Sequence, residues 1–145
     1  MDVDGLSLDG NRLYAAAYSG AVVALDADTG AQVWSQRLPL AARVSAGPGL
    51  VVAVSATQLV GLSPRDGQPL WTVPLQGAPG STPEWSERYL LVPAQGGGLR
   101  FVERSTGRTL RSFEPGTGVA GAPGIHGRRV YVLSNGSELY ALDLR

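Results

Sequence analysis

Cysteine is absent from all 145 residues, lysine is absent too, and histidine occurs once, at position 126. Without thiols there are no disulfides and no thiolate metal sites. A lone histidine cannot build a familiar zinc site either. The 12 basic residues, all arginine, balance 12 acids, and charged residues make up only 17% of the chain. That balance argues against a general binder of nucleic acid or acidic membrane, which needs a basic excess. No apolar run approaches the roughly 18 residues of a membrane-crossing helix. The first residues, Met1 to Asp4, are acidic and lack the basic stretch and apolar run of a signal peptide.

What is abundant is a repeat. Residues Ala24–Trp34 read Ala-Leu-Asp-Ala-Asp-Thr-Gly-Ala-Gln-Val-Trp. Ser63–Trp71 repeats the second half of that pattern, Glu103–Arg111 does so with Arg in place of Trp, and Ala141–Asp143 begins a fourth copy. Asp26, Ser63, Glu103 and Asp143 follow one another at intervals of 37, 40 and 40 residues. A period near 40 identifies a repeat architecture.

Inside each repeat, apolar and polar residues alternate with period 2 and are interrupted by Gly, Asp and Pro, which favours short strands. The first repeat predicts strands over Gly5–Leu8, Arg12–Tyr18, Ala21–Asp26 and Gln32–Leu38. The second predicts Ala42–Ala46, Leu50–Ala56, Gln58–Leu62 and Pro69–Leu75. The third predicts Glu84–Ser86, Tyr89–Pro93, Leu99–Glu103 and Thr109–Glu114. The fourth predicts Gly124–His126, Arg129–Leu133 and Glu138–Leu142. Ala15–Ala17 has helix propensity, but the stretch between glycine-bearing turns is too short for a stable helix. Aligning the repeats makes Tyr14, Val51, Leu91 and Tyr131 equivalent, and likewise Leu8, Ser45, Trp85 and Ile125.

Four-stranded antiparallel units of about 40 residues are the signature of a β-propeller, in which each blade must stack on its neighbours. The expected fold is all-β, with blades at about 1–39, 40–77, 78–117 and 118–145, the last lacking its fourth strand. The segment Asp26–Trp34 reads as architecture. Asp26 and Thr29 can bond nearby backbone amides in a turn, Gly30 relaxes the backbone, and Trp34 can pack over a neighbouring blade while its indole N–H bonds a carbonyl. Asp66, Gly67 and Trp71 repeat this in the second blade, and Thr106 and Gly107 in the third.

The pattern Ala-x-Asp-x-x-Thr-Gly-x-x-x-Trp, complete at Ala24, Asp26, Thr29, Gly30 and Trp34, resembles the tryptophan-docking motif of quinoprotein-type (PQQ-like) propellers. One branch of that family is enzymatic, the pyrroloquinoline-quinone dehydrogenases; the BamB-like branch is not. The chain is more similar to the BamB-like branch on three segments: Asp2-Val-Asp4, Gly98–Gly107 with no Trp to follow, and the ending Leu139–Arg145. Gly5-Leu6 stands where that branch has a Thr/Pro pair. The resemblance implies the C-terminal half of an eight-bladed ring whose last blade takes its fourth strand from the N-terminus. It further implies a periplasmic scaffold that assists β-barrel insertion into the outer membrane by docking on a BamA-like component, with Asp2 and Asp4 at the contact. No cofactor is expected on this reading. A dehydrogenase fragment, which would require quinone and calcium, is the first alternative; a propeller-type sensor or ligand-binding domain is the second. Open blade ends also imply self-association.

Other candidate chemistry is sparse. His126 falls at a blade's first turn, aligned with Asp9, Ala46 and Ser86, with no partner constellation for acid–base work. Asp2, Asp4 and Asp9 lack the ligand count and closing Glu of a calcium loop. Gln95–Gly98 lacks the Gly-Lys-Ser/Thr ending of a phosphate loop and reads as a hairpin turn. No serine sits in a nucleophile elbow or triad arrangement.

Overall fold

The computed structural model describes residues 3–17, 19–75, 82–94, 98–116, 118–119 and 123–144, with the backbone alone at 3, 4, 93 and 94. Among the described residues every regular element is a strand. The chain divides into two compact units, Met1–Leu75 and Gln76–Arg145. Most of the glycine- and proline-bearing stretch Leu75–Ser81, and residues 117, 120 and 121 of the stretch Pro115–Gly121, lie outside the described residues.

The first unit holds two four-stranded antiparallel sheets. One is β1 (Val3–Asp9), β2 (Arg12–Ala17), β3 (Ala21–Asp26) and β4 (Gln32–Arg37), in sequence order. The other is β5 (Ala41–Gly47), β6 (Leu50–Ser55), β7 (Gln58–Leu62) and β8 (Pro69–Pro74). Ala15–Ala17 is strand, because pairing of β2 with both neighbours overrides the helix propensity of alanine. The two sheets face each other across one core of Tyr14, Val22, Trp34, Val44, Val51, Val60 and Leu62 with several alanines.

The second unit repeats the plan. Its first sheet is β9 (Glu84–Trp85), β10 (Tyr89–Ala94), β11 (Gly98–Glu103) and β12 (Thr109–Phe113). Its second sheet has three strands, β13 (Gly124–His126), β14 (Arg129–Leu133) and β15 (Leu139–Asp143). Leu91, Leu99 and Phe101 from the first sheet meet Val130 and Val132 from the second, with Phe113 and Tyr140 edge-on at 5.0 Å between ring centroids.

Pairing corrects the alignment of the second blade. Tyr14 lies opposite Ala24, Leu91 opposite Phe101, and Tyr131 opposite Ala141. The residue opposite Gly61, which is the counterpart of Ala24, is Val52 and not Val51. By the same pairing Ala46, not Ser45, matches Leu8, Trp85 and Ile125, and Gly47, not Ala46, matches His126. The cause is the hairpin between β6 and β7, which is one residue shorter than the one between β2 and β3. A one-residue slip moves a side chain to the opposite face of the sheet. Val51 accordingly faces the first blade's core, whereas Tyr14 faces the second blade.

A second regularity escapes the sequence. In each complete blade the pairing of the third and fourth strands shifts at the same place, after Ala24, Gly61 and Phe101. One extra residue is left over each time: Val33, Leu70 and Leu110, which are all exposed. Such a bulge re-aims the next side chain. It sets Trp34 directly opposite Ala24 and Trp71 directly opposite Gly61.

Trp34 is 7% exposed and reaches the second blade, where its Nε1 donates to the Pro64 carbonyl at 2.9 Å. Its ring rests on Gly67, where an added Cβ would lie 2.4 Å from Cε3. Truncating a buried tryptophan of this kind costs about 3–5 kcal/mol. Denaturant unfolding of Trp34→Ala is expected to show a loss of that size. Gly67→Ala should also destabilise the chain, because φ at Gly67 is +75° and the indole occupies the space of the methyl. A Gly67→Ala variant as stable as the parent would show that Trp34 does not need this seat.

Candidate functional site

The repeated segment forms the same turn three times. In the first blade the Asp26 carboxylate accepts from the backbone amides of Asp28 and Thr29 at 2.9 and 3.0 Å. The amide of Gly30 closes the turn on the Asp26 carbonyl at 2.8 Å, and Thr29 Oγ1 accepts from Ala31 at 3.2 Å. In the second blade Asp66 stands in for Thr29, its carboxylate accepting from Gln68 at 3.1 Å while Gly67 closes on Ser63. In the third, Thr106 Oγ1 accepts from Arg108 and donates to Glu103, and Gly107 closes on the Glu103 carbonyl. Three side-chain chemistries thus serve one backbone path.

Trp34 packs beside Tyr14, with ring centroids 5.9 Å apart. Burial raises the Tyr14 phenol above its usual value, an effect opposed by the Arg12 charge. Arg12 donates to the same Pro64 carbonyl as Trp34. Trp71 covers its own Gly61, where a Cβ would fall 2.3 Å from the indole. Arg111 occupies the corresponding place in the third blade and lies opposite Phe101. There the aromatic ring has moved from the fourth strand to the third.

Asp2 lies outside the described residues, and of Asp4 only the backbone, on β1, is described. Residues 95–97 of the glycine run also lie outside them. Asp9 and His126 are exposed at equivalent strand ends. Among the described residues no three His, Asp or Glu side chains gather as a metal would require.

Each unit also presents an apolar sheet face. In the first blade Ser7 faces the second blade, accepting from the Ala46 amide, so Leu6 and Leu8 point the other way and are 63% and 65% exposed. In the last blade Val130 and Val132 face the third blade, which leaves Tyr131, Leu133 and Leu139 exposed.

Four-stranded meanders, stacked face to face and stitched by a repeated turn, define a β-propeller of the PQQ-like repeat class. A family model described as outer membrane protein assembly factor BamB matches residues 3–58 and 55–145, and the chain belongs to that family. Outer membrane protein assembly factor BamB of Shewanella oneidensis is 26% identical over 138 residues, covering 93% of this chain and 35% of the relative. Its counterpart in Pseudomonas aeruginosa is 29% identical over 149 aligned positions, covering 100% of this chain and 39% of the relative. The chain therefore spans little more than a third of the length of these curated relatives. The crystal structure of BamB from Moraxella catarrhalis superposes with a TM-score of 0.83 at 21% identity, over 98% of this chain and 50% of that one. The computationally designed Ika4 protein gives 0.83 at 16% identity, over 99% and 91%.

The turn geometry carries a pH signature. Backbone bonding by Thr29, opposed in part by desolvation and aided by Asp28, holds the Asp26 carboxyl below the ordinary aspartate value of 3.8. A group depressed on folding stabilises above its unfolded pKa and loses that contribution as pH falls through its folded pKa. Acid titration followed by NMR should place Asp26 below the ordinary aspartate value of 3.8. In Asp26→Asn the stability lost on acidification should be smaller than in the parent, and an equal loss would show that the turn does not depend on this charge.

Proposed function

We propose that this chain is a sector of a non-catalytic, protein-binding propeller that acts on the periplasmic side of the outer membrane, in the assembly of β-barrel proteins. Membership of the BamB family supports that reading most directly. The exposed apolar faces support a larger ring: Leu6 and Leu8 on one, Tyr131, Leu133 and Leu139 on the other, each of the kind that neighbouring blades bury inside the two units. A ring of eight blades is the proposed parent. Within it, Trp34 and Trp71, with Ala24, Asp26, Thr29, Gly30, Asp66, Gly67, Thr106 and Gly107, serve as the blade-docking elements. The proposed partner is a BamA-like assembly component, contacted through Asp2 and Asp4.

Affinity capture with the chain as bait tests the partner. BamA should be retained, and retention should fall when Asp2 and Asp4 are both changed to Ala. No retention of any assembly component would overturn the reading, as would saturable binding of pyrroloquinoline quinone with calcium coupled to dye reduction. The exposed faces predict self-association of the chain by itself. Light scattering at high concentration should give a mass above the 15.1 kDa of one copy, and Leu139→Glu should lower it. A clean monomer would contradict this expectation.

A further inference from the structure

The third blade departs from the docking pattern and leaves space behind. In the first blade the indole of Trp34 fills the volume beside Tyr14 and Ala24 and hydrogen-bonds the Pro64 carbonyl of the next blade. By pairing register, the third blade has Leu91 for Tyr14, Phe101 for Ala24, Arg111 for Trp34 and, in the following blade, Leu144 for Pro64. Phe101 is buried but does not refill the slot. A cavity of about 110 Å³ remains, lined by Tyr89, Phe101, Leu110, Arg111 and Leu144. It shares the lining residues Tyr89 and Leu144 with a second cavity of about 350 Å³, rimmed by Ser86, Glu87, Arg88 and Arg128.

The rim is basic and held in place. Arg88, Arg111 and Arg128 are exposed, and among the described residues none of them is within ion-pair distance of a carboxylate. Among the described residues Glu87 is the only acid on the rim. The turn that carries Arg88 is fixed by Arg104, whose guanidinium donates to the carbonyls of Ser86 and Glu87 and lies 5.0 Å from the Trp85 ring centre. Ser86 Oγ accepts from the Tyr89 amide across the same turn. The Arg128 turn is fixed by the Leu144 amide, which donates to the Arg128 carbonyl at 2.7 Å. The backbone of such turns loses little freedom on binding, and the ordering cost falls on the arginine side chains.

We propose that this vacated tryptophan slot, between the third and fourth blades, binds an acidic peptide segment bearing an aromatic side chain. The ring enters the space that Trp34 fills in the first blade, over Phe101 and against Leu144. An indole N–H there faces the Leu144 carbonyl, the counterpart of the Pro64 acceptor. Carboxylates flanking the ring pair with Arg88 and Arg128, where arginine supplies bidentate donors. Ring and charge together define the ligand: the slot alone would accept any small apolar group, and the rim alone any anion.

Fluorescence anisotropy with a dye-labelled peptide, a Trp flanked by Glu on each side, tests the proposal on the 145-residue chain. Binding should saturate, and weaken about tenfold or more when the peptide's Trp becomes Ala or its Glu residues become Gln, as for an anchor residue. In the protein, Arg111→Trp should refill the slot with the chain's own indole, raising the thermal midpoint and abolishing binding. Arg88→Ala combined with Arg128→Ala should weaken binding and flatten its salt dependence, whereas Arg65→Ala, in a turn of the second blade, should do neither. Undiminished binding to a folded Arg111→Trp variant would overturn the proposal. So would equal binding of all three peptides, or displacement of the peptide by inorganic phosphate alone at matched ionic strength. If Arg111→Trp does not fold, unchanged affinity in the Arg88/Arg128 double variant overturns it by itself.

Discussion

A sheet of four short strands has two faces and no interior, so every blade of this protein depends on the face of another. That constraint explains the composition of the strands. Val51, Ala53, Val60 and Leu62 line one side of the second sheet and meet Tyr14, Val22, Ala24 and Trp34 from the first. The same division recurs in the second unit, where Val130 and Val132 close on Leu91, Leu99 and Phe101. Burial of these small β-branched and aromatic side chains supplies the apolar area, and the close approach of the sheets follows from the alanines and glycines between them.

Face-to-face packing alone would let blades slide. The tryptophan seat removes that freedom, because it combines a directional bond, Nε1 to the Pro64 carbonyl, with a cleft that only a glycine leaves open. The bulge ahead of Trp34 is what makes the seat reachable, since it sets the ring opposite Ala24 and leaves Val33 outside. The third blade keeps the bulge and the turn and changes the side chains, with Phe101 on the third strand and Arg111 on the fourth. The backbone device is therefore separable from the ring it presents, and that separation allows a structural position to become a binding slot without disturbing the sheet.

Much of this was legible along the chain. Period-2 alternation placed the strands, because one buried and one exposed face leave their mark residue by residue. Asp26-x-x-Thr29-Gly30 announced a turn, since its hydrogen bonds span two to four residues. The register of the second blade was not legible: Val51 and Val52 are both valines, and either fits an apolar strand until the short β6–β7 hairpin decides which face it takes. The slot beside Arg111 was legible only as a missing tryptophan. That its neighbours Arg88 and Arg128 come from two different blades is a matter of stacking.

The sequence by itself determined the repeat, the strands and the turns, all of which rest on contacts between residues close in the chain. Tertiary structure decided which face each side chain takes, where Trp34 is seated and which arginines line the cavities between the third and fourth blades. The physical reason is range: a turn is settled within five residues, whereas the bond from Trp34 to Pro64 spans 30, and only the stacking of one sheet on the next brings its ends together.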